Sequence, residues 1–292
     1  MKNYKDFVSF MKRQEIYLKE VPYETIKPVF KENETRTWST DKSFGEIRLK
    51  ANINGPVCPE KFFHNDLRIT IYLKESFIKP GSWFDKNDHG GHKLSIIYGR
   101  SKYEDLDSAT YQPLVQFCFF LIKFLKGEEV SREDFQGREE EAMDIFRNHF
   151  CILNACWFPH VSDKIGNPSI ISRCIDWLNV NGLIFKEFNE LFDADLLIGT
   201  RIFKTPYNME TQRHELFGTP KKGILLPSVI KELTGYPLAE DKNDGSIILE
   251  DNKLYLNIYH PSSPKFKPYE NAKTISKLYS LHKNCELDRY LS

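Results

Sequence analysis

Leu67 to Leu73 (LRITIYL) alternates along a stretch rich in β-branched residues and predicts a strand. A Gly/Pro/Asp-rich loop follows from Ile78 to Gly91, and Leu94 to Tyr98 is a second short apolar run. Leu114 to Leu125 has helical length and apolar density. Arg138 to Asn148 is charged and helix-like, and leads into Phe150 to Ala155 (FCILNA), a buried strand. Ser169 to Phe192 carries helical periodicity, with a kink or break expected at Asn181-Gly182. Asp195 to Gly199 reads as a short strand ending in glycine. Residues 204–245 form a polar insertion with one helix, Leu226 to Thr234. Ser246 to Tyr259 reads as a hairpin around Asp251-Asn252, and the tail from Tyr269 to His282 is helical.

Short apolar strands alternating with helices predict an α/β fold: a parallel sheet with helices on both faces. Ligands of such folds sit at the carboxyl ends of the strands. Attention therefore falls on Lys74-Glu75-Ser76, Asn154 and His260-Pro261-Ser262.

Composition narrows the function classes. The chain has 292 residues, 40% hydrophobic and 28% charged, which is ordinary globular usage. A chain this long buries roughly 75% of its unfolded surface and needs no disulfide or metal to hold a core. Lys+Arg and Asp+Glu both number 41, so any nucleic-acid surface has to be local. No apolar run reaches the ~18 residues a membrane span needs, and the N-terminus lacks the apolar stretch of a signal peptide. A cytoplasmic protein with free thiols is expected. The six cysteines include no CxxC pair, and Cys151 and Cys156 fall on opposite faces of one strand, so no zinc or iron–sulfur cluster is expected.

Each candidate site residue has two readings. His260 precedes a proline, which favours an extended backbone and aims the imidazole at a strand-end cleft; the alternative is a plain strand-terminating turn. Asn154, near the end of a buried strand, offers a donor and an acceptor side by side, suited to the edge of a base; the alternative is an amide that holds a loop. Glu75 is either a site carboxylate or a solvated one.

Together the segments resemble the uracil-DNA glycosylase superfamily. Leu73-Lys74-Glu75-Ser76-Phe77 with Lys79-Pro80-Gly81 resembles its first motif, GQDPYHGP or GEAPG. Ile152-Leu153-Asn154 resembles its middle strand, and His260-Pro261-Ser262 its last motif. His89 to Leu94 resembles the stretch before the family's base-stacking aromatic, and Asp176-Trp177 through Gly199 its next helix and strand. The resemblance spans about residues 66–282. It implies a three-layer α/β/α domain over 66–292 with a central, mostly parallel four-stranded sheet. An N-terminal extension, 1–65, would pack on it, and the insertion at 204–245 would precede the last strand.

The implied activity is hydrolysis of the N-glycosidic bond of a flipped pyrimidine in DNA, without cofactor, by a monomer. His260 would donate to the base O2 and Asn154 would read the N3 and O4 edge. Glu75 would supply the carboxylate at the GEAPG position. The GQDPYHGP aspartate falls on Ser76, which carries no charge, and Asp85 and Asp88 are further carboxylates of the same loop. Tyr98 or Phe77 would stack on the base, with Ser262 beside it. Ser263, Lys265, Phe266 and Lys267 would face DNA, Phe266 as the wedge and the lysines on phosphates. The position that excludes 5-substituents falls on Ile78, or on Phe77 after a one-residue shift. Asn208, Gln212, Arg213 and His214 of the insertion suit a hydrogen-bonding substituent, so a modified pyrimidine is expected as well as uracil. Two alternatives stay open: a catalytically weakened DNA- or partner-binding module, and a nucleotide hydrolase.

Overall fold

A computed structural model describes residues 6, 9, 55–77, 102–106, 108–160, 191–203, 207–208, 213–216, 219–220, 223–239, 247–250 and 253–291; at 74–77, 154–160, 207–208, 213–216, 219–220, 224 and 247–250 the description is of the backbone. Its elements are α1 (Pro59–His64), β1 (Ile69–Phe77), α2 (Tyr111–Leu125), α3 (Glu139–His149), β2 (Phe150–His160), β3 (Leu196–Gly199), β4 (Tyr207–Asn208), β5 (Arg213–Leu216), β6 (Thr219–Pro220), β7 (Ile224–Leu225), α4 (Pro227–Thr234), β8 (Ile247–Glu250), β9 (Lys253–Asn257) and α5 (Pro268–Lys283).

The main sheet runs β2-β1-β3-β9-β8-β7, and a small separate sheet runs β4-β5-β6. The first four strands of the main sheet are parallel. β8 and β7 extend it antiparallel. The expected four-stranded sheet is thus the parallel part of a six-stranded one. The β8–β9 hairpin exposes a free edge, and β7, from inside the 204–245 insertion, pairs with it.

Alternation sorts the strand residues between the two faces. Ile69, Ile71, Leu73, Phe150, Ile152, Leu196, Ile198, Leu254, Leu256 and Ile258 belong to one buried cluster with the apolar stripes of α2 and α5. The other face carries Tyr72 and Tyr255, on which Phe203 packs edge-on at 5.6 and 5.4 Å between ring centroids. From the end of the expected extension, Val57 belongs to this core, and Phe62 and Phe63 of α1 are buried. Pro56 bridges Cys151, and Val57 N–H donates to Phe150 O at 3.0 Å. That contact covers the outer edge of β2, which would otherwise offer open backbone groups. Among the described residues no helix is long and apolar enough to cross a membrane.

The chain leaves β1 for β2 on one side, then passes back to β3 on the other. In a parallel sheet this reversal opens a crevice at the carboxyl ends of the two strands that part, here β1 and β3.

Candidate active site at the carboxyl edge

Leu153, Tyr72, Gly199 and Asn257 stand level across β2, β1, β3 and β9. β3 and β9 end at that level, whereas β1 and β2 continue. The turn after β3 is tightly built. Ile258 N–H donates to Gly199 O at 2.8 Å, and Thr200 donates to Tyr72 O through N at 2.9 Å and Oγ1 at 3.2 Å. A Cβ on Gly199 would come within 2.8 Å of the Phe203 ring and 3.2 Å of Asn257 Oδ1, so this close approach requires glycine.

Asn257 holds the turn from the next strand. Its buried Oδ1 accepts from Ile202 and Phe203 N–H, both at 3.1 Å, and its Nδ2 donates to Phe203 O at 2.7 Å. The turn leaves Arg201 exposed with φ 56°. Its guanidinium lies 5.9 Å from the ring centre of Tyr259, and Lys265 Nζ lies 5.4 Å from the same centre. Both distances are within cation–π range.

His260 follows Tyr259, partly exposed. Its Nδ1 accepts the Ser262 N–H at 3.2 Å and lies 2.7 Å from Ser262 Oγ. With Nδ1 accepting, the proton of the neutral ring sits on Nε2, and the ring is fixed by its neighbour two residues on. Ser263 N–H closes the turn onto His260 O at 2.8 Å, and Ser263 Oγ accepts from Lys265 N–H at 3.3 Å.

Glu75 and Asn154 lie at the same edge of the sheet as His260. Asn154 is level with Leu73, and Glu75 with Cys156. At ~3.3 Å per residue Glu75 stands about 10 Å beyond the Tyr72 level. Neither residue ends its strand: β1 runs on through Ser76 to Phe77, and β2 to His160. The two strands keep pairing with each other after β3 stops, so the ladder outlasts the apolar pattern. Tyr98, Ile78, Asp85, Asp88, Gln212, the Lys79-Pro80-Gly81 segment, the 89–94 stretch and most of the 169–192 helix lie outside the described residues. Asn208, Arg213 and His214 lie in the small antiparallel sheet, where Asn208 pairs with Arg213.

Phe266 requires a correction. It is 5% exposed and its ring meets Phe117 of α2 edge-on at 5.7 Å. The turn at Ser263, closed by Phe266 N–H on Ser263 O at 2.9 Å, points residue 266 toward α2, where burial holds it. The ring is a core anchor of the loop and not an exposed wedge. Lys265 and Lys267 on either side are exposed.

Beyond Lys267 a cleft of about 580 Å³ opens between α2 and the start of α5, lined in part by Gln116, Arg132, Gln136, Tyr236, Lys267 and Glu270. Arg132 pairs with Glu270 and lies 5.6 Å from the Tyr269 ring centre. Burial pushes the Tyr236 hydroxyl above its usual pKa, the nearby Tyr259 adds to the rise, and Arg132 opposes it. Lys267, on the loop that carries Lys265, lines this cleft together with Tyr236.

The sequence reading missed Arg201, Asn257 and this cleft. Asn257 alone left a trace: a lone amide within the apolar run Leu254 to Ile258. Comparison with protein families, characterised proteins and solved structures finds no match. Fold and site together define a class: an α/β protein with a four-strand parallel sheet and a candidate ligand crevice where its strand order reverses.

Proposed function

We propose that this chain is a DNA N-glycosylase that takes a flipped pyrimidine, uracil or a modified base, into the crevice at β1 and β3. The observation that carries the reading is His260: an imidazole just past β9 whose Nδ1 accepts from Ser262 N–H, which assigns the donor role of the neutral ring to Nε2. The strand order and the common edge of Glu75, Asn154 and His260 support it.

When the glycosidic bond breaks, its electron pair leaves with the base and the sugar becomes oxocarbenium-like. The Nε2–H of His260 donates to the base O2 as negative charge develops there, without transferring its proton. Asn154 reads the N3 and O4 edge. Glu75 faces the cationic sugar and takes a proton from the water whose oxygen bonds to C1′. The base leaves as its anion and is protonated by solvent, so the products are the free base and an abasic site, and Glu75 returns its proton to solvent.

An abasic-site cleavage assay tests this with uracil, 5-substituted uracils and 5-substituted cytosines, in single and double strands. Strand breaks after alkali, lost in His260→Ala by 10²–10³-fold (about 2.7–4 kcal/mol), are expected. His260→Ala rates within threefold of wild type remove His260 as the donor. A second reading, a DNA-binding module without turnover, is favoured by the cations at Tyr259, which need no carboxylate. A gel shift without cleavage would select it.

A further inference from the structure

We infer that the exposed strip running from Arg201 over Tyr259 to Lys265 and Lys267, and on into the Tyr236–Arg132 cleft, holds the phosphodiester backbone of an unpaired DNA strand. This rests on the proposed glycosylase reading for the identity of the polymer and names the form in which that polymer is bound. Arg201 and Lys265 lie 5.9 and 5.4 Å from the ring centre of Tyr259, the residue before His260. Lys265 and Lys267, two residues apart on the same loop, are exposed, and Lys267 lines the cleft. Lys267 joins the two parts, since it follows Lys265 on the loop and lines the cleft with Tyr236 and Arg132. A local strip of this kind suits a backbone that carries one charge per nucleotide, in a chain whose overall charge is zero. Tyrosines along the strip suit exposed bases, since any base has a face to stack.

The loop favours a single strand over a duplex. Taking a base from a duplex costs unstacking and unpairing, which an apolar wedge offsets by filling the gap. Here the loop turns its one aromatic residue, Phe266, inward onto Phe117, and presents Ser262, Pro264, Lys265 and Lys267 outward. It grips phosphates and leaves the opening of a duplex unassisted, so a strand that is already open is bound at lower cost.

The test is fluorescence anisotropy with a labelled, uracil-free oligothymidylate and its duplex with oligoadenylate, over a range of salt. The single strand is expected to bind roughly tenfold tighter or more. Lys265→Gln and Arg201→Gln should each weaken it several-fold and lower the salt slope by about one. Tyr259→Leu should weaken it comparably, with a circular-dichroism melt checking that the fold is kept. Equal affinity for the duplex overturns the inference, as does an unchanged salt slope in Lys265→Gln. Thymidine monophosphate competing as well as the oligonucleotide also overturns it, because the strip would then take a small anion. Binding without base release leaves the inference standing while the glycosylase reading fails. Base release from duplex and single strand alike does the reverse.

Discussion

Twice among the described residues two cations meet one aromatic ring, and the surroundings differ. Over Phe119 of α2 lie Lys123, 5.8 Å from the ring centre, and Arg138, 4.9 Å from it. Carboxylates close that group: Lys123 Nζ reaches Glu128 at 2.7 Å and Glu141 at 2.8 Å, and Arg138 Nε reaches Glu141 at 2.7 Å. Lys123 is 8% exposed. The cluster ties the start of α3 to the end of α2, so its charges serve the fold. Over Tyr259, Arg201 and Lys265 stand on exposed turns at the edge where ligands of such sheets bind. A cation–π pair therefore says little by itself about role. Exposure and the position along the strands separate the cluster that holds helices together from the one offered to a ligand.

The largest expected effect falls on the anchor beneath the second cluster. Phe266→Ala should cost about 3–5 kcal/mol of stability, read by urea unfolding, because it empties a packed site against Phe117. A loss under about 1 kcal/mol would mean that the ring is not held in the core, and the wedge reading would return. Asn257→Ala comes next. It leaves the buried Ile202 and Phe203 N–H groups without their acceptor, at about 1–3 kcal/mol each. It should also loosen the turn that carries Arg201 and so weaken oligonucleotide binding. Binding unchanged at reduced stability would detach Arg201 from the site.

What the sequence revealed follows from the range of the forces involved. α2, α3, β2, β9 and α5 all begin within three residues of where the apolar pattern places them, because a periodic run carries its own local signal. The apolar alternation of β1 stops at Leu73, where the sequence turns polar, yet Lys74 to Phe77 stay extended because β2 pairs with them. That information sits on another strand. For the same reason Asn154 read as a strand end when it is the fifth residue of an eleven-residue strand. His260-Pro261-Ser262 was legible because its ring is fixed within three residues. Arg201 was not, since its partner Tyr259 is brought to it by the β3–β9 pairing.

The Phe119 cluster makes a pH prediction of its own. Hydrogen bonding from Arg138 does most to hold the Glu141 carboxyl below the usual glutamate range; burial opposes it, and hydrogen bonding from Lys123 adds to the fall. A depressed carboxylate stabilises the fold above its unfolded pKa and loses that contribution as pH falls through its folded value. Glu141→Gln should thus cost about 1 kcal/mol near neutrality. The gap from wild type should narrow once the pH drops below about 4.3, the ordinary glutamate value. A gap that stays constant from pH 7 to pH 3 would show that the carboxylate charge contributes nothing to this cluster.

The smallest stability effect sharpens the contrast most. Lys265→Gln removes the same charge as Lys123→Gln, from a ring contact of similar length, 5.4 Å against 5.8 Å. Lys123 is buried and pairs with both Glu128 and Glu141, and its loss removes the cation that joins them at the helix junction, leaving Glu141 to Arg138. Lys265 is exposed on a loop whose shape is set by the Ser263 turn and the Phe266 anchor, neither of which uses its ammonium group. Lys265→Gln should therefore shift unfolding by less than about 0.5 kcal/mol, as exposed substitutions do. Its effect should appear only in the salt dependence of strand binding. Paired urea titrations of the two variants check the first half, and anisotropy at two salt concentrations the second. If Lys265→Gln destabilises as much as Lys123→Gln, the two clusters are alike, and the charge at the carboxyl edge is structural.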